Sequence, residues 1–283
     1  MIVIGIDFTS SPSRRKPLTC MHCTLDGRVL RAHSLEEWPD FGLFETALRK
    51  PGPWIAGIDF PFGQSRIFIT NIGWPDDWAG YVARAGSLGR QGFRDALEDY
   101  RRHRSFGDKE HRRKTDIAAS SISPQKLYGI PVGLMFFEGA PRLVRSGVTI
   151  PGLKAGDPKR IVVEAYPGVL ARQLVGRAQY KNDTARKQTE MQHQTRRAML
   201  DHILNGEPEA RYGLHVEAAR NLVDDPSGDQ LDALLCAIQA AWAWTMRDHG
   251  YGAPRDADAL EGWIADPTLS ENAPPSDKAA SLV

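Results

Sequence analysis

Residues 2–8 read IVIGIDF and residues 55–63 read IAGIDFPFG. Two apolar runs thus end on the same tetrapeptide, Gly-Ile-Asp-Phe. Unbroken Ile, Val and Ala predict a buried strand in each case. Asp is depleted in strands, so an Asp closing such a run marks a strand end that opens onto a site. If the two runs are parallel neighbours in one sheet, Asp7 and Asp59 stand side by side at its carboxyl edge. Open α/β sheets bind ligands just outside that edge.

Residues 17–25 (PLTCMHCTL) and 28–33 (RVLRAH) read as two more strands around Asp26-Gly27, a hairpin signal. Residues 41–50 predict a short helix stopped by Pro51, and 53–60 is the second buried strand. Residues 61–158 are rich in Gly, Pro and Arg; they read as an irregular insertion with one helix at about 91–104. Residues 160–165 (RIVVEA) predict a buried strand that also carries an acid near its end, Glu164. Helices are expected at 168–175, with Pro167 in the first turn; at 184–204, with Asp183 as N-cap and Gly206 past the end; at 209–222; and at 229–247. The expected fold is α/β, a mixed sheet with flanking helices and a long insertion between the fourth and fifth strands. One domain is expected over 1–266, with a disordered tail at 267–283.

Lys plus Arg number 36 and Asp plus Glu 35, for a formal net charge of +1. That balance argues against nucleic-acid binding driven by bulk positive charge, though not against a local basic groove. Three cysteines, Cys20, Cys23 and Cys236, do not make a secreted disulfide framework. The start runs directly into IVIGIDF without a basic region or cleavage site, and the apolar stretch at 234–244 is far shorter than the ~20 residues of a membrane span. The expectation is a cytoplasmic protein that does not enter membranes.

The carboxylates carry the chemistry. Asp7 and Asp59 share the sheet edge, and the strand ending at Glu164 can bring a third acid there. The segment GDQLDAL adds Asp229 and Asp232, whose spacing puts both on one helix face. Such a cluster repels itself unless cations occupy it. Oxygen-only ligands suit Mg²⁺ or Mn²⁺, and two such ions about 3.5–4 Å apart clamp the attacking and leaving oxygens of a phosphodiester. The expected chemistry is metal-dependent phosphoryl transfer. Ordinary roles compete with it: a strand-end salt bridge for Glu164, and an N-cap for Asp229 after Gly228.

Three leading strands, a helix, an acidic strand and a late acidic helix resemble the RNase H fold, and Asp229-x-x-Asp232-Ala resembles the last acidic helix of RuvC-type resolvases. More closely, IGIDFTSSPSRRK, GIDFPFG, RRKTDIAASSISPQKLYGIPVGLMFFEGAPRL, VVEAYPG and SGDQLDALLCAIQAAWAW resemble domain-of-unknown-function family 429, described as predicted nucleases with an RNase H-like fold. The resemblance covers most of residues 1–265. It implies a metal-dependent nuclease acting on DNA or RNA, with Asp7 bridging two metals, Asp59 and Glu164 flanking it, and Asp232 completing the second site. Arg113, Lys114, Asp116 and Arg142 lie in the family-like stretch and are candidate substrate contacts. RNase H enzymes also carry an acid on their first helix; Glu45 is available here, but nothing in FETALRK marks it.

Thr9, Ser10, Ser11 and Ser13 follow Asp7 in TSSPSRRK, where hydroxyls and amides can bind phosphate with help from Arg14, Arg15 and Lys16. A polar hairpin loop is the plain alternative. Segment 84–114 carries ten Lys/Arg against five Asp/Glu; it reads either as a basic lid over substrate or as a solvated helix face. Cys20-Met-His-Cys23 looks like half a metal knuckle, but on a strand its two cysteines face opposite ways. Ser123-Pro-Gln-Lys126 matches SxxK without its companion motifs. Two other functions compete. IDFTSS loosely echoes the first loop of sugar kinases and actin-like ATPases, yet no Gly-rich adenosine loop follows residue 206. The chain could instead be a non-catalytic nucleic-acid-binding module with structural acids.

Overall fold

The computed structural model describes residues 1–182 and 184–270. The sheet opens with β1 (Ile2–Asp7), β2 (Leu18–Asp26) and β3 (Val29–Trp38), followed by α1 (Phe41–Arg49) and β4 (Trp54–Ile58). The insertion contains α2 (Arg66–Ile72), α3 (Trp78–Ser87), α4 (Gly89–Arg102), α5 (Lys114–Ala118) and α6 (Val132–Ser146), then the short edge strand β5 (Val148–Thr149). β6 (Asp157–Glu164), α7 (Pro167–Val175), α8 (Glu190–Leu204), α9 (Glu207–Tyr212), β7 (His215–Glu217) and α10 (Asp229–Thr245) complete the order. The strands form one seven-stranded sheet in the order β5-β6-β4-β1-β2-β3-β7. β2 is antiparallel to β1 and β3, whereas β1–β4, β4–β6, β5–β6 and β3–β7 are parallel. This mixed sheet with helices on both faces is consistent with an RNase H-like α/β fold.

Alternation along β1 divides the core. Ile4, Ile6 and Phe8 pack with Phe44 of α1 and with Phe68, Phe93 and Phe136 of the insertion helices. Val3 packs on the other face with Ile55, Ile161, Val163 and the apolar length of α10. Cys20 falls in the first cluster and Cys23 in the second, so the two thiols point apart as their strand spacing requires.

The repeated glycine explains how closely α10 sits. Gly5 and Gly57 are paired in register across β1 and β4. A Cβ on Gly5 would lie 1.9 Å from the Ala233 carbonyl oxygen, and one on Gly57 would lie 2.4 Å from that of Cys236. The helix backbone therefore rests on the strands where neither carries a side chain. Gly5→Ala or Gly57→Ala should force α10 outward and cost about 3 kcal/mol, as overpacking of a filled core does. Urea denaturation would read this as a lowered midpoint with an unchanged slope.

Several local expectations are corrected. The insertion is mostly helical, with five helices where one was expected. Its composition hides them: α6 contains Gly139 and Pro141, and Gly139 is required because a Cβ there would meet the Phe60 ring at 2.4 Å. The helix expected at 184–204 starts only at Glu190, where Thr189 and Gln192 form a capping box; Asp183 lies outside the described residues. The helix expected at 209–222 is instead α9, β7 and a 3-10 turn at Arg220–Asp224. Gly213 stops α9, and Val216 is then buried beside β3. The expected tail begins with a 3-10 turn, Pro267–Leu269, capped by Asp266; its residues 271–283 lie outside the described ones.

Candidate functional site

The Asp59 amide donates to the Ile6 carbonyl at 3.0 Å, which sets the ends of β1 and β4 against each other. Asp7 follows Gly5 by two residues and Asp59 follows Gly57 by two, so both acids share the face on which α10 rests. The first turn of α10 brings Asp229 and Asp232 to the same edge. A cleft of about 440 Å³ opens over these four carboxylates and is also lined by Lys16, Tyr180 and Lys181.

Each acid has a definite environment. The N-cap of α10 is Gly228, and Asp225 supplies the capping carboxylate by accepting from the amides of Ser227 and Gln230. Asp229 is thereby released from capping, and both its oxygens accept from the Lys16 ammonium, at 2.8 and 2.9 Å. Lys16 is delivered by a tight turn in which Ser13 and Lys16 exchange hydrogen bonds. Asp232, 1% exposed, accepts from the Tyr180 hydroxyl at 2.6 Å and pairs with Lys181. The Tyr180 and Lys181 carbonyls accept from Arg196 and Gln192, which ties this loop to α8. Among the described residues, no hydrogen bond or ion pair ends on the carboxylates of Asp7 or Asp59.

Burial pushes the Asp7 carboxyl well above its usual range; Lys181 opposes this, while Asp229, Asp232 and Asp59 add to it. Burial likewise pushes Asp59 up to about 7, helped by Asp232 and Glu164 and opposed by Lys181. Between about pH 4 and pH 7 the folded chain then holds a proton on Asp59 that the unfolded chain has released. The native state binds more protons there, so the stability of the metal-free protein falls as pH rises through that window. In a chelating buffer, Tm should be higher at pH 5 than at pH 8. Asp59→Asn should flatten the dependence; an unchanged profile would contradict this environment for Asp59.

Glu164 reaches the same edge on the opposite face. It pairs in register with Ile58, not with Asp59, and its neighbour Val163 is the residue that faces α10. Its oxygens accept from Arg113 at 2.6 and 2.8 Å and from the Phe62 amide at 2.8 Å. Arg113, buried at the start of α5, also clamps both oxygens of Asp116. Thr9 and Ser10 line the cleft, and the Ser10 carbonyl accepts from Arg90. Arg14 is exposed at the tip of the 13–16 turn. Lys114 donates its amide to Glu261 and pairs with Asp256. Arg142 stands away from the cleft, bound to Glu138 and Glu45 with its guanidinium 3.9 Å from the Phe41 ring centre. Glu45 is engaged there with arginines and does not line the cleft.

The basic segment is largely neutralised. Arg90, Arg101, Arg102, Arg104, Arg113 and Lys114 all form ion pairs. Tyr180 and Lys181 were not singled out in the sequence, because AQYKN reads as a polar linker. The only advance signal was general: buried acids at one edge require cations.

Among the described residues, no three His, Cys, Asp or Glu side chains stand together as a formed metal-ligand group. The donor chemistry nevertheless fits a hard divalent cation. Four carboxylates face two ammonium groups, all the donors are oxygens, and among the described residues Asp7 and Asp59 have no hydrogen-bond or ion-pair partner. Glu164 also lines the cleft, with its oxygens engaged by Arg113 and the Phe62 amide.

The sheet and this edge define a mixed α/β protein of RNase H-like architecture with a carboxylate-lined cleft. The chain belongs to the family described as Protein of unknown function (DUF429), whose model matches residues 5–259. No curated protein and no solved structure matches it. No helix among the described residues is long and apolar enough to cross a membrane.

Proposed function

We propose that the chain is a metal-dependent phosphodiesterase acting on nucleic acid, DNA or RNA. The observation that carries this reading is the pair of carboxylates, Asp7 and Asp59, without a partner among the described residues, at adjacent ends of parallel strands, with Asp229 and Asp232 facing them from α10. Asp7, Asp59 and Asp232 would hold Mg²⁺ or Mn²⁺, with Asp229 as a further donor. When bound, such ions supply Lewis-acid stabilisation of phosphoryl oxygens and lower the pKa of water. The chain's own contribution is to fix the acids rigidly, since β1, β4 and α10 meet through bare glycine backbone. The Thr9–Ser10 loop stands beside Asp7 and is placed to orient a phosphate, while Arg113 anchors the neighbouring wall.

Lys181 is the residue a cation must contend with. Its ammonium neutralises Asp232 and lies in the field of Asp7. Removing one positive charge at contact distance should tighten Mn²⁺ binding by about tenfold or more, since even a well-screened charge pair contributes a few kcal/mol. Titration calorimetry of Lys181→Met should show this; weaker binding than wild type would make Lys181 a supporting residue of the cation site. The activity itself is tested by incubating labelled DNA and RNA oligonucleotides with the protein, in Mn²⁺ and in chelator. Cleavage only with the cation is expected, and cleavage that survives chelation would contradict the reading.

A further inference from the structure

The wall opposite the acids is apolar and exposed. The segment between α5 and α6 places Ile122 and Ile130 on the cleft, yet they are 45% and 67% exposed. Tyr128, beside the cleft-lining Gly129, is 53% exposed. Single exposed hydrophobics are common, but two large ones that line one cleft from one short segment form a patch with a use. The segment is also braced. The Tyr128 hydroxyl donates to Glu98 of α4 at 2.5 Å, and Arg101 lies 5.7 Å from its ring centre. The Tyr128 ring thus leans on α4 and fixes the segment from behind.

These two walls make different demands on a substrate. The acidic floor, through a cation, takes a phosphate. The apolar rim takes a flat hydrophobic surface within a nucleotide's reach of it. A duplex presents sugar and phosphate outward and keeps its base faces stacked inside, so it offers the rim nothing. An unpaired nucleotide offers both groups, and apolar side chains can cover the flat face of any base whatever the sequence. The cleft volume of about 440 Å³ is that of a small-ligand pocket. We infer that the substrate enters as an unpaired strand, its phosphate at Asp7 and Asp59 and its base against Ile130 and Ile122. This rests on the phosphodiesterase reading and adds strand selectivity to it.

Fluorescence anisotropy of the full chain in Ca²⁺, with a labelled oligothymidylate and with its duplex of equal length, tests the inference. The single strand should bind at least about tenfold tighter, and Ile122→Ser or Ile130→Ser should weaken that binding by about tenfold each, the scale of covering one such apolar side chain. Both side chains are exposed, so the variants should melt with the wild type. Equal or tighter duplex binding, or unchanged binding by both variants, would overturn the inference while leaving metal-dependent cleavage intact. Failure of the wild type to bind either strand would overturn it together with the proposed activity.

Discussion

Asp7→Asn is expected to lower Mn²⁺-dependent cleavage at least about 10²-fold while leaving the fold intact. Loss of an outer-shell partner of a metal ligand already costs about 10–100-fold, and Asp7 is placed to be a ligand itself. Its carboxylate lies in the field of Asp59, Asp229 and Asp232, and among the described residues it has no partner to lose. The same substitution should raise the thermal stability of the metal-free protein, because a carboxyl that burial and like charges force either to take up a proton or to carry a disfavoured charge is removed. The two effects have opposite signs, which separates a site residue from a structural one. If Asp7→Asn were destabilised in chelator and kept full cleavage in Mn²⁺, Asp7 would be scaffolding.

Arg113→Met should produce the largest loss of stability, about 3–5 kcal/mol, the usual cost of stranding buried charges. Arg113 is the only described cation bonded to Glu164 and Asp116, and all three side chains are almost wholly buried. At this chain length the loss corresponds to a fall in Tm of about 10 °C. The deficit should shrink as pH falls. Burial raises the Glu164 carboxyl against the opposing pull of Arg113, so without Arg113 the folded state takes up that proton still more readily. Arg113→Lys should not rescue, because an ammonium cannot reproduce the forked contact to two carboxylates. A change below about 1 kcal/mol would show that the triad is not what joins α5 to the sheet.

The sequence showed the strand-end acids clearly, because Asp at the end of an Ile/Val run has little other use. It also showed that Asp229 and Asp232 share a helix face. The glycines of the same motif were legible only with α10 in place, since their role is a contact with the backbone of a distant helix, Ala233 for Gly5 and Cys236 for Gly57, and not a turn. The side of the sheet chosen by Glu164 was hidden for a different reason. In RIVVEA every central residue is apolar, so no alternation shows which positions face α10, and a shift of one residue reverses the face. The ion pairs of Lys16 and Lys181 could not be read at all, because both lysines come from polar loops without a periodic pattern. The insertion helices were concealed by Gly and Pro, of which Gly139 serves close packing against Phe60 while Gly73 and Gly147 end helices in left-handed conformation.

The central claim is that this edge holds a divalent cation between Asp7 and Asp59. A crystal soaked in Mn²⁺ and measured at the manganese absorption edge tests it directly. An anomalous peak between the two carboxylates, with Lys181 drawn away from Asp232, is the predicted result. Both carboxylates without manganese, and Lys16 and Lys181 still bound to Asp229 and Asp232, would contradict it.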